Sequence, residues 1–155
     1  MIESMDVRDQ RSSLGMVPLF TQIQKAFNRR IDEGVLGMRF KPYMTLCFIR
    51  DHPGTSQQDL ESALFVDANT VVLILNELES GQLSIRRRDP NDRRRHVVEI
   101  TPAGRRALER GDRAREELED ELLRGLSADE KKTLRRLLER VLDGLHAEAK
   151  AEAKA

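Results

Sequence analysis

Between Ile85 and His96 the chain places six arginines and two aspartates, in the run IRRRDPNDRRRH. A guanidinium is planar, permanently charged and forked, so its natural partners are phosphates and carboxylates. Alternating Val98 and Ile100, then Thr101-Pro102, follow the run. Short extended stretches at residues 83–88 and 96–101, on either side of Asp89-Pro90-Asn91-Asp92, carry the signature of a hairpin. The arginines then stand at its tip. A narrow ribbon ending in Arg93, Arg94 and Arg95 suits the minor groove of double-stranded DNA, whose negative potential draws in guanidinium groups. Arg86, on the first strand, is assigned to the same surface. Asp92 is expected to pair with one arginine within the turn and so hold another in an aimed geometry.

A ribbon of this kind needs a platform. Thr55-Ser56 supplies an N-cap for a short helix over residues 57–64, and Asp67 caps another over 68–80, with Val71, Val72, Leu75 and Leu78 inward and Gly81 at its end. Two short helices joined by a tight turn read as a helix-turn-helix, and with the hairpin they form a winged arrangement. Such a motif pushes the start of its second helix into the major groove. There Asn69 can pair with adenine and the Thr70 methyl can meet a thymine methyl. Ser56 and Gln57 are placed to offer free backbone amides to a phosphate.

Flanking helices frame this unit. Leu19, Phe20, Ile23, Phe27 and Ile31 recur at helical spacing over residues 17–31, with Gly34 and Gly37 as breakers. Residues 42–50 are apolar nearly all round and read as a buried helix. Pro102 opens a long helix to about residue 123, and a Ser127/Glu130 capping box precedes a stripe from Leu134 to Leu145. The tail AEAKAEAKA lacks an apolar face and is expected to fray. The fold class is therefore mainly α with a small β-hairpin: a winged helix-turn-helix DNA-binding domain at 37–101 with helical dimerisation regions at 1–36 and 102–155. Surplus apolar stripe implies a partner chain, and a two-fold dimer implies a palindromic site with half-sites about one helical turn apart.

Composition bounds the alternatives. A chain of 155 residues builds one core. Lysines plus arginines number 27, as do aspartates plus glutamates, so any charge-driven function must come from segregation, as between the arginine run and the acidic EELEDE at Glu116 to Glu121. No run of eighteen apolar residues occurs, and MIESMDVRDQRSS lacks the apolar run of a signal peptide, so a soluble, cytoplasmic protein with no membrane partner is expected. Cys47 is the only cysteine, which excludes an intrachain disulfide and a thiolate-rich metal site. No tryptophan and one tyrosine argue against a stacking platform for single strands. With no phosphate-binding glycine loop, no Gly-x-Ser-x-Gly and no metal-ligand spacing, neither an enzyme, a metal nor a cofactor is expected.

The segment HPGTSQQDLESALFVDANTVVLILNELESGQLSIRRRDPNDRRRHVVEITPAGRRAL resembles the central part of the MarR family of bacterial transcriptional regulators, and the flanking helices are similar in layout over nearly the whole chain. Its most specific motif is the wing, Asp89-Pro90-Asn91-Asp92-Arg93-Arg94, followed by an alternating strand and Thr101-Pro102-Ala103-Gly104. The resemblance implies a homodimer with interlocked terminal helices, a recognition helix in the major groove, and a wing arginine, best matched by Arg94, in the minor groove. It also implies ligand-responsive repression, with a small aromatic or phenolic effector between the dimerisation and DNA-binding parts. Two departures stand out. The glycine that usually precedes the leucine of the wing strand comes one residue early, as Gly81 before Gln82-Leu83. Leu73 occupies a position where many relatives carry a polar or basic residue, and toward DNA it can make only an apolar contact or none.

Plainer readings stand beside these. Cys47 as a redox sensor is one alternative; one branch of the family carries its peroxide-sensing cysteine in the first helix, and between Leu46 and Phe48 this one reads as core packing. A winged protein-interaction module without DNA binding is another, favoured by acidic or apolar wings and disfavoured by the arginines here. His52 reads as a helix C-terminal residue, and a metal site built from His52, His96 and His146 needs carboxylates the sequence does not place. The EELEDE run reads as a solvated helix face. Phe27, Met38, Phe40, Tyr43 and Met44 have equal claims to line a pocket or fill the core.

Overall fold

The computed structural model describes residues 15–31 and 34–154; of the expected 1–36 helical region, residues 1–14 and 32–33 lie outside the described residues, as does residue 155. The elements follow in the order α1 (Met16–Ile31), α2 (Phe40–Asp51), α3 (Gln57–Leu64), α4 (Ala68–Ser80), β1 (Ser84–Arg88), β2 (His96–Ile100), α5 (Pro102–Leu122) and α6 (Ala128–Glu152).

Four helix starts are held by side chains. The side-chain oxygens of Ser56, Asp67, Thr101 and Ser127 accept from the amides of Asp59, Thr70, Gly104 and Glu130. In α3 and α6 the cap is reciprocal, because the Asp59 and Glu130 carboxylates accept from the Ser56 and Ser127 amides at 2.8 and 2.7 Å. α2 begins two residues before the expected 42–50, since Pro42 is tolerated in a first helical turn and the Tyr43 amide closes that turn on the Arg39 carbonyl at 3.1 Å. It is not apolar all round: Pro42, Tyr43, Leu46 and Ile49 are buried while Met44 faces out. On α4, Val71, Leu75 and Leu78 point inward as expected, Ile74 joins them, and Val72 is half-buried. The alanine-rich tail stays helical to Glu152, contrary to the expected fraying. Its helix is already nucleated by the capping box, and alanine, glutamate and lysine then propagate it at little cost.

β1 and β2 pair antiparallel from Ser84 opposite Ile100 to Arg88 opposite His96. The ladder is extended by one bridge, Ser56 to Val97, and the Val98 amide donates to the Thr55 carbonyl at 2.8 Å. The residues just before α3 therefore act as a third, minimal strand. A single core joins all of this, with Leu46, Leu60, Val71, Leu75, Leu78, Val98 and Leu108 packed together and reached by Ile31 and Leu118 from the flanking helices.

Two joints fix the geometry. α4 stops at Ser80; Gly81 keeps a right-handed conformation and Gln82 takes φ +59, so the early glycine leaves a side-chain-bearing residue in the left-handed position. After β2, the Leu83 carbonyl accepts the Thr101 amide at 3.0 Å, and the Thr101 hydroxyl donates to the Gln82 carbonyl at 2.7 Å. Gly104 then passes so close to Leu83 that a Cβ there would overlap the Leu83 carbonyl oxygen and lie 2.9 Å from Ile100 Cγ1. The Thr-x-x-Gly motif is thus a cap plus a close approach. In contrast, α1 and α6 leave their stripes uncovered: Met16, Val17, Phe20 and Ile23 on one, and Leu137, Leu138, Val141, Leu142 and Leu145 on the other, are exposed, and no residue of α6 is buried.

Gly104→Ala is expected to destabilise the protein by about 3 kcal/mol, because backbone rather than a flexible side chain must give way. Gln82→Gly is expected to add about 1 kcal/mol by removing a left-handed side-chain residue. Urea unfolding at fixed protein concentration checks both, and an unchanged midpoint in Gly104→Ala would show that α5 can lift off Leu83.

Candidate nucleic-acid interface

The hairpin tip is two consecutive Asx turns. Asp89 Oδ1 accepts from the Asn91 amide at 2.8 Å and Asp92 Oδ1 from the Arg94 amide at 3.0 Å. The Asp89 amide donates to the Arg95 carbonyl at 2.8 Å, closing the hairpin behind them. Asp92 therefore binds main chain and not an arginine side chain, contrary to expectation. A short carboxylate finds an amide two residues on more readily than a guanidinium held at the end of a long stem. This gives the Asp-Pro-x-Asp spacing its physical content.

The six arginines sort into two classes. Arg86 was assigned to the DNA surface, but its fork grips Glu79, with Nε to Oε1 and Nη2 to Oε2 both at 2.8 Å, and Nη2 also donates to Asn76 Oδ1 at 2.5 Å. The Arg86 bonds hold the Glu79 carboxyl below the usual range, and they tie the wing to the end of α4. Arg87 pairs across the ribbon with Glu99 at 2.9 Å. Arg95 turns back onto α3, where Nη2 lies 3.0 Å from Asp59 Oδ2, and is not aimed out from the tip as expected. Arg88, Arg93 and Arg94 are exposed and have no carboxylate partner among the described residues.

At the start of α3 the expected phosphate site is filled from within. The Ser56 amide and hydroxyl both donate to Asp59 Oδ2, at 2.8 and 2.7 Å, so that amide is not free. Burial pushes the Asp59 carboxyl up, but the Ser56 bonds and the Arg95 guanidinium outweigh it and hold the group below the usual range. Gln57 borders a small hollow shared with Arg95 and His96. The serine three residues before Asp59 was the signal for this pair, and it is legible in the sequence. On α4, Asp67 holds the Thr70 amide at 2.7 Å. Asn69, Leu73 and Asn76 share its outer face, and Leu73 is 69% exposed.

A cleft of about 1160 Å³ opens between α2 and α4 and is lined by Met38, Phe40, Met44, Lys41, Thr70 and Leu73, among others. Arg39 edges it, with Nε 3.1 Å from Glu77 Oε1 and its second nitrogen bonded to the other oxygen. The aromatic and methionine residues divide: Met38, Phe40 and Met44 line the cleft, Phe27 meets Phe40 edge-on at 5.5 Å, and Tyr43 is buried in the core.

Tyr43 also joins α2 to α5. Its hydroxyl donates to Asp112 Oδ1 at 2.6 Å and accepts from Arg115 at 3.2 Å, while Arg50 binds the other Asp112 oxygen at 2.6 Å. Half-buried Cys47 lies nearby, and burial pushes its thiol up. His52 stacks on Phe48 at 4.1 Å with Nδ1 3.0 Å from the Phe48 carbonyl, and His146 stacks on Phe65 at 4.5 Å. No three potential ligands cluster for a metal among the described residues. The acidic run is not simply solvated: Glu121 pairs with Arg30, Glu119 with Arg115 at 2.8 Å, and Asp120 with Lys131 at 2.9 Å. No helix among the described residues is long and apolar enough to cross a membrane.

The family model for MarR matches residues 42–96, from α2 into β2. A putative transcriptional regulatory protein for the hcr operon of Thauera aromatica is 33% identical over 82% of this chain and 74% of its own length. The chain belongs to the MarR family of transcriptional regulators. A crystal structure of MarR superposes with a TM-score of 0.78 at 26% identity, covering 90% of this chain and 96% of that one. A MarR variant from E. coli, complexed with operator DNA, gives 0.70 at 29% identity, covering 81% and 91%. The winged helix-turn-helix with its flanking helices is therefore the fold of this MarR-family chain.

Burial of Cys47 bears on the redox alternative. At pH 8 the folded protein is expected to react with iodoacetamide at least about tenfold more slowly than the urea-unfolded chain, since the thiolate is the reactive form. Equal rates, followed by mass spectrometry, would show that burial does not protect the thiol and remove this ground against a redox role.

Proposed function

We propose that this MarR-family regulator is a sequence-specific double-stranded DNA-binding repressor, acting as a homodimer on a palindromic operator and released by a small aromatic or phenolic effector. The observation that carries the reading is the sorting of the arginine run. Three guanidiniums, of Arg88, Arg93 and Arg94, are left without carboxylate partners on a ribbon joined through Arg86 to the helix that exposes Asn69 and Leu73. The likeness to a MarR variant complexed with operator DNA supports it.

In this reading α4 enters the major groove. Asn69 pairs with an adenine, Thr70 and Leu73 meet thymine methyls, and Arg93 and Arg94 enter the minor groove from a tip shaped by Asp92. Ser56, Arg86 and Arg95 hold the elements in place. Residues 37–101 form the DNA-binding region, and 1–36 with 102–155 the dimerisation region, because the uncovered stripes of α1 and α6 need a partner and a second copy supplies matching ones. The effector occupies the cleft beside α4, its ring against Met38, Phe40 and Met44 and an acidic oxygen toward Arg39 and Lys41. Since Thr70 and Leu73 form one wall, a ligand that binds one arrangement better than another shifts α4 and with it the DNA affinity. Such a repressor works in the cytoplasm and catalyses no reaction.

Selection from random duplexes at two salt concentrations is expected to enrich a palindrome, with a log–log salt slope of roughly −5 from two sets of three unpaired arginines. Arg94→Ala should lower operator affinity at least about tenfold with the dimer intact. Replacing the thymine opposite Leu73 by uracil should weaken binding by about threefold in the wild type but not in Leu73→Ala. No enriched sequence, with weak retention even at low salt, would overturn the reading.

A further inference from the structure

We propose that Arg95 and Asp59 are a positioning pair that sets the wing against the helix-turn-helix, so that Arg95 serves the DNA complex through Asp59 and not through a phosphate of its own. The inference rests on the DNA-binding reading and adds a division of labour within the arginine run.

The geometry is that of a pivot. Arg95 Nη2 lies 3.0 Å from Asp59 Oδ2 and 3.5 Å from the Gly54 carbonyl. The same carboxylate oxygen accepts the Ser56 amide at 2.8 Å and the Ser56 hydroxyl at 2.7 Å. One atom therefore gathers the turn end of the wing's second strand, the cap of α3 and its first turn. Beside it the backbone makes a parallel tie, through the Ser56–Val97 bridge and the Val98 amide on the Thr55 carbonyl. Any swing of the wing relative to α3 passes through these contacts.

The electrostatics point the same way. A helix N-terminus favours an anion, and at α3 that place is taken by Asp59. A DNA phosphate approaching the side of the wing that faces α3 meets this carboxylate. Were Arg95 to leave it for the phosphate, one favourable contact would be exchanged for an unpaired negative charge facing DNA. Held in place, Arg95 cancels the Asp59 charge and leaves the attraction to its neighbours Arg93 and Arg94. The side chains are 46% and 49% exposed, so the pair contributes little to folding and its substitution leaves the fold intact.

A double-mutant cycle on operator affinity tests this, using the full-length wild type, Arg95→Ala, Asp59→Asn and the double variant. Asparagine keeps an oxygen for the Ser56 amide and removes only the charge. Arg95→Ala is expected to weaken binding about tenfold in the wild-type background, but less than about twofold when Asp59 is already Asn, with the salt slope there unchanged. Arg95→Lys, which keeps the charge, should stay within about threefold of wild type. An equal loss from Arg95→Ala in both backgrounds, with the slope reduced by about one per chain, is the signature of a direct phosphate contact and overturns the positioning role. A wild-type dimer that binds no operator would overturn the DNA reading instead, and this one with it.

Discussion

The carbonyl oxygen of Leu83 is where the DNA-facing unit meets the helix that leaves it. It accepts the Thr101 amide, and Gly104 lies against it with no room for a side chain. This contact fixes the direction in which α5 departs from the wing. Seven residues on, and so on the same helical face, Gly111 passes the Tyr43 ring so closely that a Cβ would lie 2.9 Å from Tyr43 Cε2. Asp112, next in the chain, then binds the Tyr43 hydroxyl and Arg50. Two bare points and one part-buried polar contact thus seat α5 on the winged unit. Whatever sets the separation of two α5 helices in a dimer also sets the separation of two α4 helices, because close-packed interiors transmit displacement.

On that frame, a chain with no net charge makes a strongly polarised surface by deciding which charges are answered. Arg86, Arg87 and Arg95 each face a carboxylate, and three further carboxylates of the acidic run on α5 meet Arg30, Arg115 and Lys131. The exposed pairs among them, such as Arg87–Glu99 and Arg95–Asp59, contribute at most about 1 kcal/mol each to stability. Their consequence is placement: they point some arginines at the protein and so leave Arg88, Arg93 and Arg94 with only solvent or a ligand to answer them. Counting arginines overstates the field at the tip. Sorting them by partner locates it.

Local signals carried most of the architecture. Ser56, Asp67, Thr101 and Ser127 cap within three residues of themselves, and the Asp-Pro-Asn-Asp turn closes within seven, so a reading of short windows finds the helix starts and the hairpin. The family motif at the wing was legible for the same reason. Less legible was the use of each charge. Arg86 reaches Glu79 from seven residues away, and Arg95 reaches Asp59 from thirty-six, and neither distance leaves a periodic trace. Tyr43 and Phe40 were indistinguishable as core or cleft because the answer depends on Asp112 and Gly111, far along α5. The turn at Gln82 is a different case: its displaced glycine was visible, and the backbone kept the turn's conformation while the sequence did not supply the residue that adopts it most readily.

These ties also define what can move. α4 is held to the wing by the Arg86–Glu79 fork and to the approach of α2 by the Arg39–Glu77 fork, one at each flank of its C-terminal half. The first involves two partly buried side chains and a main-chain bond from the Arg86 amide; the second has an arginine that is largely exposed and borders the cleft. The weaker tie is therefore the one a cleft ligand reaches. An acidic effector competing with Glu77 for Arg39 would loosen α4 from α2 while leaving α4 and the wing joined, so recognition helix and wing would shift as one body. For the proposed repressor this is the economical route from a small molecule to an operator: the DNA-reading surface keeps its internal geometry and loses its register with the partner's.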